Sequence, residues 1–275
     1  MQKVMTELDN KVLVRKNIVN LTAQELADYR KAVREVMSLS DNRGYAHFAG
    51  IHGWPQLYCW HHEKNFHDKR ALRLFLPWHR AYLYEFEKAL QDRVTDVTIP
   101  YWDWRFTRNI SKAFSDKTVD GKPNPLYKFH MKFDAPNGQH IDRDTERSPW
   151  DNGEGLPTEA QVDEVLNIED NDDHFDEFTD EIEEVHDQVH GWVGGAMGVV
   201  PFAAYDPIFW SHHSFIDKLW WDWQKKSGIS EMPDSYKDLP LAPFGLTVKD
   251  VIEVYDLGYE YAGISTDVEG NWGQQ

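Results

Sequence analysis

The sequence predicts a mainly α-helical protein, with a four-helix core, long irregular loops and little sheet. Three observations point there. Apolar residues recur at three- and four-residue intervals in four separate stretches. Turn-forming and acidic residues fill the long segment between the second and third of these. No repeat at solenoid periods divides the chain. Its 275 residues, 41% of them hydrophobic and 12 of them Trp, suffice to bury a substantial core, and nothing forces a division. Residues 1–275 therefore read as one domain.

The first helix starts at Thr22, whose spacing to Glu25 is that of a capping box. Leu26, Tyr29, Val33 and Val36 follow it at helical intervals. The second begins near Pro77, since the first turn tolerates a residue without an N–H. It runs to about Gln91, with Ala81, Phe86 and Leu90 on one side. Over 107–173 the motifs KPNP, APNG and DNGEG are turn-rich and IEDNDD is a solvated acidic run. This segment reads as an elaborated loop with one short helix after Pro157. A third helix fits 175–193 and a fourth 207–226, where His213, Ile216, Trp220 and Trp223 recur at helical spacing.

Lys and Arg number 29 against 47 Asp and Glu, a net charge of −18. That excess excludes nucleic acid as a partner and is repelled by anionic membrane surfaces. Cys59 is the single cysteine, so no intrachain disulfide can form. The N-terminal MQKVMTELDNKVLVRKN has no apolar signal core, and no run is long enough to span a bilayer. The expectation is a soluble, cytoplasmic protein.

Thirteen histidines are unevenly placed. His186 and His190, in VHDQVH, lie four apart on the third helix and project from one face. His213 follows on the fourth helix after a Gly-rich turn, so three imidazoles can converge on one metal ion such as Cu, Zn, Ni or Fe. A lone helical histidine is most often an ordinary surface or core residue. A second His-rich block, His52, His61, His62, His67 and His79, shifts the balance toward two metals facing each other across a bundle. HHEKNFH has one residue too many for the HExxH of a metalloprotease. Only Glu183 to His186 has Glu-x-x-His spacing, too few ligands for a di-iron carboxylate site. All-imidazole ligation points to copper, and spacing alone leaves zinc open.

Four segments carry a resemblance: FLPWHRAYLYEFEKAL (75–90), IPYWDW (99–104), VHDQVHGWVGGAMGVV (185–200) and DPIFWSHHSFIDKLWWDWQ (206–224). In this order they resemble both copper-binding signatures of the tyrosinase and catechol oxidase family of type-3 copper proteins. VRKNIVNLTAQE near the start and LGYEYA near the end add to it. The resemblance implies a four-helix core holding a binuclear copper site, with two copper ions as cofactor and O2 as co-substrate. It implies an oxidase turning monophenols or o-diphenols into o-quinones.

Carried over residue by residue, one copper takes His186, His190 and His213, with His212 in support. The other takes His52 and His79. The family's usual position for its third ligand is Arg70 here, so Cys59-Trp-His61 is read as the branch motif in which a cysteine is thioether-linked to the ligand histidine. That makes His61 the ligand and His67 its competitor. Glu183 resembles the acid that holds a water in this family. Asp187 occupies the position of that water's partner, so the two together form the expected base for a monophenol. Outside the motif they would be read as solvated helix charges. Val200 matches the residue lining the entrance, where other members carry a bulky Phe. An Arg80–Asp217 ion pair is expected to fix helix register, and Trp102, Asp103 and Trp104 to belong to the core. His130, His140 and His174 are expected to be ordinary surface residues.

A haemocyanin-like oxygen carrier resembles the same motifs. Carriers cover the site with a further C-terminal domain, and the short stretch after Tyr261 favours the enzyme. An o-aminophenol oxidase is the other alternative. A small phenol is the expected partner and a copper chaperone a candidate one. The oligomeric state is left open.

Overall fold

A computed structural model describes residues 11–59, 73–168, 173–228 and 232–263. After strand β1 (Leu13–Arg15) come helices α1 (Ala23–Met37), α2 (Tyr45–His52) and α3 (Phe75–Gln91). The excursion then holds α4 (Lys112–Ser115), β2 (Thr118–Val119), β3 (Lys122–Pro123), β4 (His130–Asp134), β5 (His140–Asp144) and α5 (Glu159–Leu166). The long helices α6 (His174–Val193) and α8 (Ile208–Ser227) flank the short α7 (Val200–Ala203). The chain continues through α9 (Asp234–Lys237), β6 (Pro240–Leu241), β7 (Leu246–Thr247) and β8 (Tyr259–Tyr261). The mainly α expectation holds, and each described sheet is a two-stranded pairing.

The helices begin where local chemistry places them. Thr22 accepts from the Glu25 N–H while the Glu25 carboxylate takes the Thr22 N–H, a complete capping box. Thr158 and Gln161 repeat it at α5, the helix expected after Pro157. Pro77 stands in the first turn of α3, which opens two residues before it. α8 is buried nearly all round from Ile208 to Trp223, because α3, α5 and α6 surround it. A helix enclosed on nearly every side carries apolar residues all round except where a polar one is paired, which explains Trp220, Trp221 and Trp223 where a one-sided stripe would otherwise run.

The excursion is more ordered than an irregular loop. Its strands form two antiparallel hairpins, β2–β3 and β4–β5. Several of its few apolar residues, among them Phe114, Leu126, Met131, Ile141 and Leu156, are buried in the main core. Their low number conceals how many of them are anchors. His174 corrects the expectation of a surface residue. It is buried, with its ring 4.8 Å from that of Trp223, because the first turn of α6 packs onto α8. His130 and His140 are exposed and paired with Asp144 and Asp134 on β4–β5.

Two far-apart segments close the molecule. β1 and β8 pair in parallel, with Leu13 beside Tyr259 and Arg15 beside Tyr261. Arg15 is thereby carried into the interior, donating to Glu87 at 2.9 Å and Asp217 at 3.2 Å. Asp217 also accepts from Arg80 Nε at 2.5 Å and from the hydroxyls of Tyr259 and Tyr261 at 2.6 Å each. The expected Arg80–Asp217 pair is therefore the centre of a buried network locking α3 to α8. No helix among the described residues is long and apolar enough to cross a membrane.

Candidate metal centre

Each histidine of the site stands where the fold fixes its helix. His79 is on α3, directly before Arg80 of the buried network. His213 lies one turn before Asp217 on α8. The network that sets α3 against α8 thus stacks the His79 and His213 rings, with centroids 4.3 Å apart and planes within 17°. His52 ends α2. A Cβ on Gly53 would lie 2.2 Å from the Pro201 carbonyl oxygen, so only glycine lets α2 end against α7. The Trp54 N–H donates to that carbonyl at 3.1 Å. α6 ends at Gly194, φ 63°, and Gly195 follows at φ 56°, where a Cβ would strike the Glu146 carbonyl. This turn brings Met197 back beside His190.

The ring nitrogens have defined roles. His190 Nδ1 lies 2.7 Å from the Met197 carbonyl and His79 Nδ1 2.8 Å from the Phe75 carbonyl. Carbonyls only accept, so both Nδ1 atoms carry the proton and both Nε2 atoms hold a lone pair. His186 Nδ1 is 3.2 Å from an Asp187 carboxylate oxygen. His213 Nε2 then lies 3.2 Å from both His186 Nε2 and His190 Nε2. Burial first, and neighbouring imidazoles second, push His213 well below the ordinary histidine value, so its ring is neutral and keeps a lone pair on one nitrogen. Neutral imidazole nitrogens gathered this closely are a donor set for a cation. Nitrogens sharing one metal at about 2.0–2.1 Å in a tetrahedral arrangement lie about 3.3 Å apart, which these residues match.

A second grouping, His52, His79 and His213, is fully buried and adjoins the first. The two sets meet at His213, so the two groupings are neighbours. Of the ligands expected for the first copper, His52 and His79 are brought together. His61 and its competitor His67 lie outside the described residues, and the Cys59–His61 thioether with them. Cys59 is buried, its Sγ 4.0 Å from His79 Nε2. Burial, then the charges of Glu183 and Asp187, push its thiol well above the usual value.

His212 stands among the same rings, stacked on His186 with centroids 5.1 Å apart. Its Nδ1 accepts from Trp104 Nε1 at 3.2 Å, and Trp102 N–H donates to the Ser211 carbonyl at 2.9 Å. The IPYWDW segment therefore pins the start of α8 at the residues preceding His213. Sequence reasoning missed Phe75 and Phe209, whose rings pack edge-on or tilted against His79, His186 and His213 at 4.0–4.9 Å. Each stands four residues ahead of a site histidine on its own helix, a spacing that could have found them.

A cavity of about 210 Å³ opens from His52, His186 and His190 to the surface, past Asp187, Gly191 and Val200. Val200 begins α7 at its rim. Glu183 lies one turn before Asp187 on α6. Its carboxyl is pushed up to about 8, by burial first and by Asp187 second, against the pull of Arg73.

Residues 42–226 match the common central domain of tyrosinase. The chain is 35% identical over 238 residues to a tyrosinase of Streptomyces antibioticus, covering 78% of this chain and 83% of that protein. It is 31% identical over 256 residues to hemocyanin 1 of Megathura crenulata, covering 85% of this chain but only 7% of that protein's length. In fold it is similar to a tyrosinase from Burkholderia thailandensis, with a TM-score of 0.76, 22% identity, and coverage of 93% of this chain and 75% of that one.

Proposed function

The chain belongs to the tyrosinase family, whose type-3 copper proteins bind two copper ions and use O2, and from that premise we propose that it is an oxidase converting o-diphenols and monophenols to o-quinones. The observation that carries this reading is the cavity of about 210 Å³ joining the histidines to the surface. It is smaller than pockets for drug-sized ligands and suits a single phenolic ring. An oxygen carrier has no need of a ring-sized opening onto its histidines.

In this reading His186, His190 and His213 hold one copper, and His52 and His79 with His61 hold the other. Bound copper supplies the oxygen and electron chemistry. The chain's own residues orient the ring and move its proton. Val200 leaves the entrance wider than an aromatic side chain would. Glu183 takes the hydroxyl proton of a monophenol through a water shared with Asp187. A carboxyl with a raised pKa is a stronger base than an exposed one, and nearby cations favour its ionised form.

Oxygen uptake by copper-loaded protein, with a catechol and a matched monophenol primed by a trace of that catechol, tests the reading. Both should be consumed, the catechol faster. Reversible O2 binding without consumption would establish the carrier instead. Glu183→Gln should lower monophenol turnover by about a hundredfold and catechol turnover far less. The native ratio of monophenol to catechol turnover should climb with pH as Glu183 ionises, and the variant should lose that climb. Equal losses on both substrates would remove this account of the base.

A further inference from the structure

Trp150 is the most exposed large apolar side chain among the described residues, at 60%. Scattered exposed apolar residues are common and need no explanation. This one is held differently. The carboxylate of the next residue, Asp151, accepts from Trp192 Nε1 of α6 at 2.7 Å, from Gly153 N–H at 2.7 Å and from Gly155 N–H at 2.9 Å. Gln188 of α6 donates to the Gly155 carbonyl at 2.9 Å. Arg108 clamps the far side through the carbonyls of Gly153, Leu156 and Pro157. The loop bearing Trp150 is therefore tied to α6 at several points, and the indole is presented by a rigid frame.

The indole lies next to Gly191: a Cβ there would make ordinary van der Waals contact, 3.7–3.8 Å, with its six-membered edge. Gly191 is also a wall of the cavity that leads to His186 and His190. On α6, Asp187, His190 and Gly191 share one face at three- and four-residue spacing. The indole thus stands beside Gly191, next to the α6 face that lines the cavity.

We infer that Trp150 is a second subsite, which takes the far end of a para-substituted phenol when that end is flat and apolar, above all a second aromatic ring. The inference rests on the reading of the cavity as the phenol entrance. With one ring in the cavity, a para substituent leads outward to the rim, where an indole offers an offset-stacked or edge-on contact. An anionic tail is disfavoured there, because Asp187, with 59% of its side chain exposed, lines the same opening.

The test compares 4-methylcatechol with a catechol bearing an uncharged para-arylalkyl group, on copper-loaded native protein and on Trp150→Ala and Trp150→Phe. The native protein should show a lower KM for the two-ring substrate. Trp150→Ala should raise that KM by about three- to tenfold with kcat unchanged, and Trp150→Phe should restore most of it. Both constants for 4-methylcatechol should stay at their native values. A parallel calorimetric arm on metal-free protein compares the Kd of a two-ring phenol with that of a one-ring phenol. It decides the subsite even where no catechol is turned over, an outcome that would overturn the oxidase reading alone. Native protein that does not discriminate the pair, or equal effects of Trp150→Ala on both compounds, overturns the inference.

Discussion

His213→Ala should cost the protein its copper pair and depress catechol-driven oxygen uptake by at least about a hundredfold, the upper end of what is lost when only a supporting partner of a metal ligand is removed. Among the described residues no other side chain belongs to both histidine groupings. Its Nε2 lies 3.2 Å from those of His186 and His190, and its ring stacks on His79. Removal therefore opens one metal position and loosens the neighbouring one. Native protein should carry two coppers per chain by metal analysis, and the variant fewer. To the extent that copper binds the folded state alone, the native protein should gain about 2.7 kcal/mol of stability per copper site at a free copper concentration a hundredfold above Kd. The variant should gain much less. His130→Ala, on the exposed face of β4–β5, should match the native protein in all three measurements. One zinc or one isolated copper in native protein would sink the binuclear assignment, and a variant retaining two coppers would remove His213 from it.

The histidine pairing was legible because it rests on local geometry. VHDQVH on a helix puts two imidazoles on one face whatever surrounds it, and WHR turns His79 and Arg80 to different faces, one toward His213 and the other toward Asp217. Thr22 and Glu25 likewise settle the start of α1 through bonds confined to one turn. α2 was not legible. GYAHFAGIH is apolar on all sides and only eight residues are helical, too short for a period to emerge. Its N-cap Gly44 makes no side-chain hydrogen bond to mark the start. The β1–β8 pairing joins segments at opposite ends of the chain, and three-residue strands have no pattern of their own. His174 follows an acidic run and reads as surface. It is buried because Trp223, far along the chain, lies over it. Trp150 needed the structure as well, since nothing in SPWDNGEG shows that its loop is laced to α6.

Asp217→Ala is expected to be the most destabilising of these substitutions. Asp217 is buried and receives Arg80, Arg15 and two tyrosine hydroxyls. Arg80 also lies over the Trp220 ring, 3.6 Å from its centroid, and donates to the Ile252 carbonyl. Arg15 keeps Glu87, but Arg80 is held in the interior when its carboxylate is removed. An uncompensated buried charge of this kind costs about 3–5 kcal/mol, a large fraction of an ordinary domain's stability. Burial works to raise the Asp217 carboxyl, but Arg80, Arg15 and the tyrosines outweigh it and hold it below the usual value. A carboxyl depressed in the fold contributes stability above its ordinary pKa of about 3.9. That contribution is lost as the pH falls through the lower, folded value. Native protein should therefore lose stability on acidification, and Asp217→Asn, which keeps the shape but not the charge, should start lower and fall less steeply. The loss should also reach the metal centre, because the same network stacks His79 on His213. At temperatures where Asp217→Asn is still folded, its copper affinity should be reduced. Denaturation curves between pH 3 and 7, with copper titrations alongside, check both effects. A variant as stable as the native protein at pH 7 would show that the network does not hold α3 to α8.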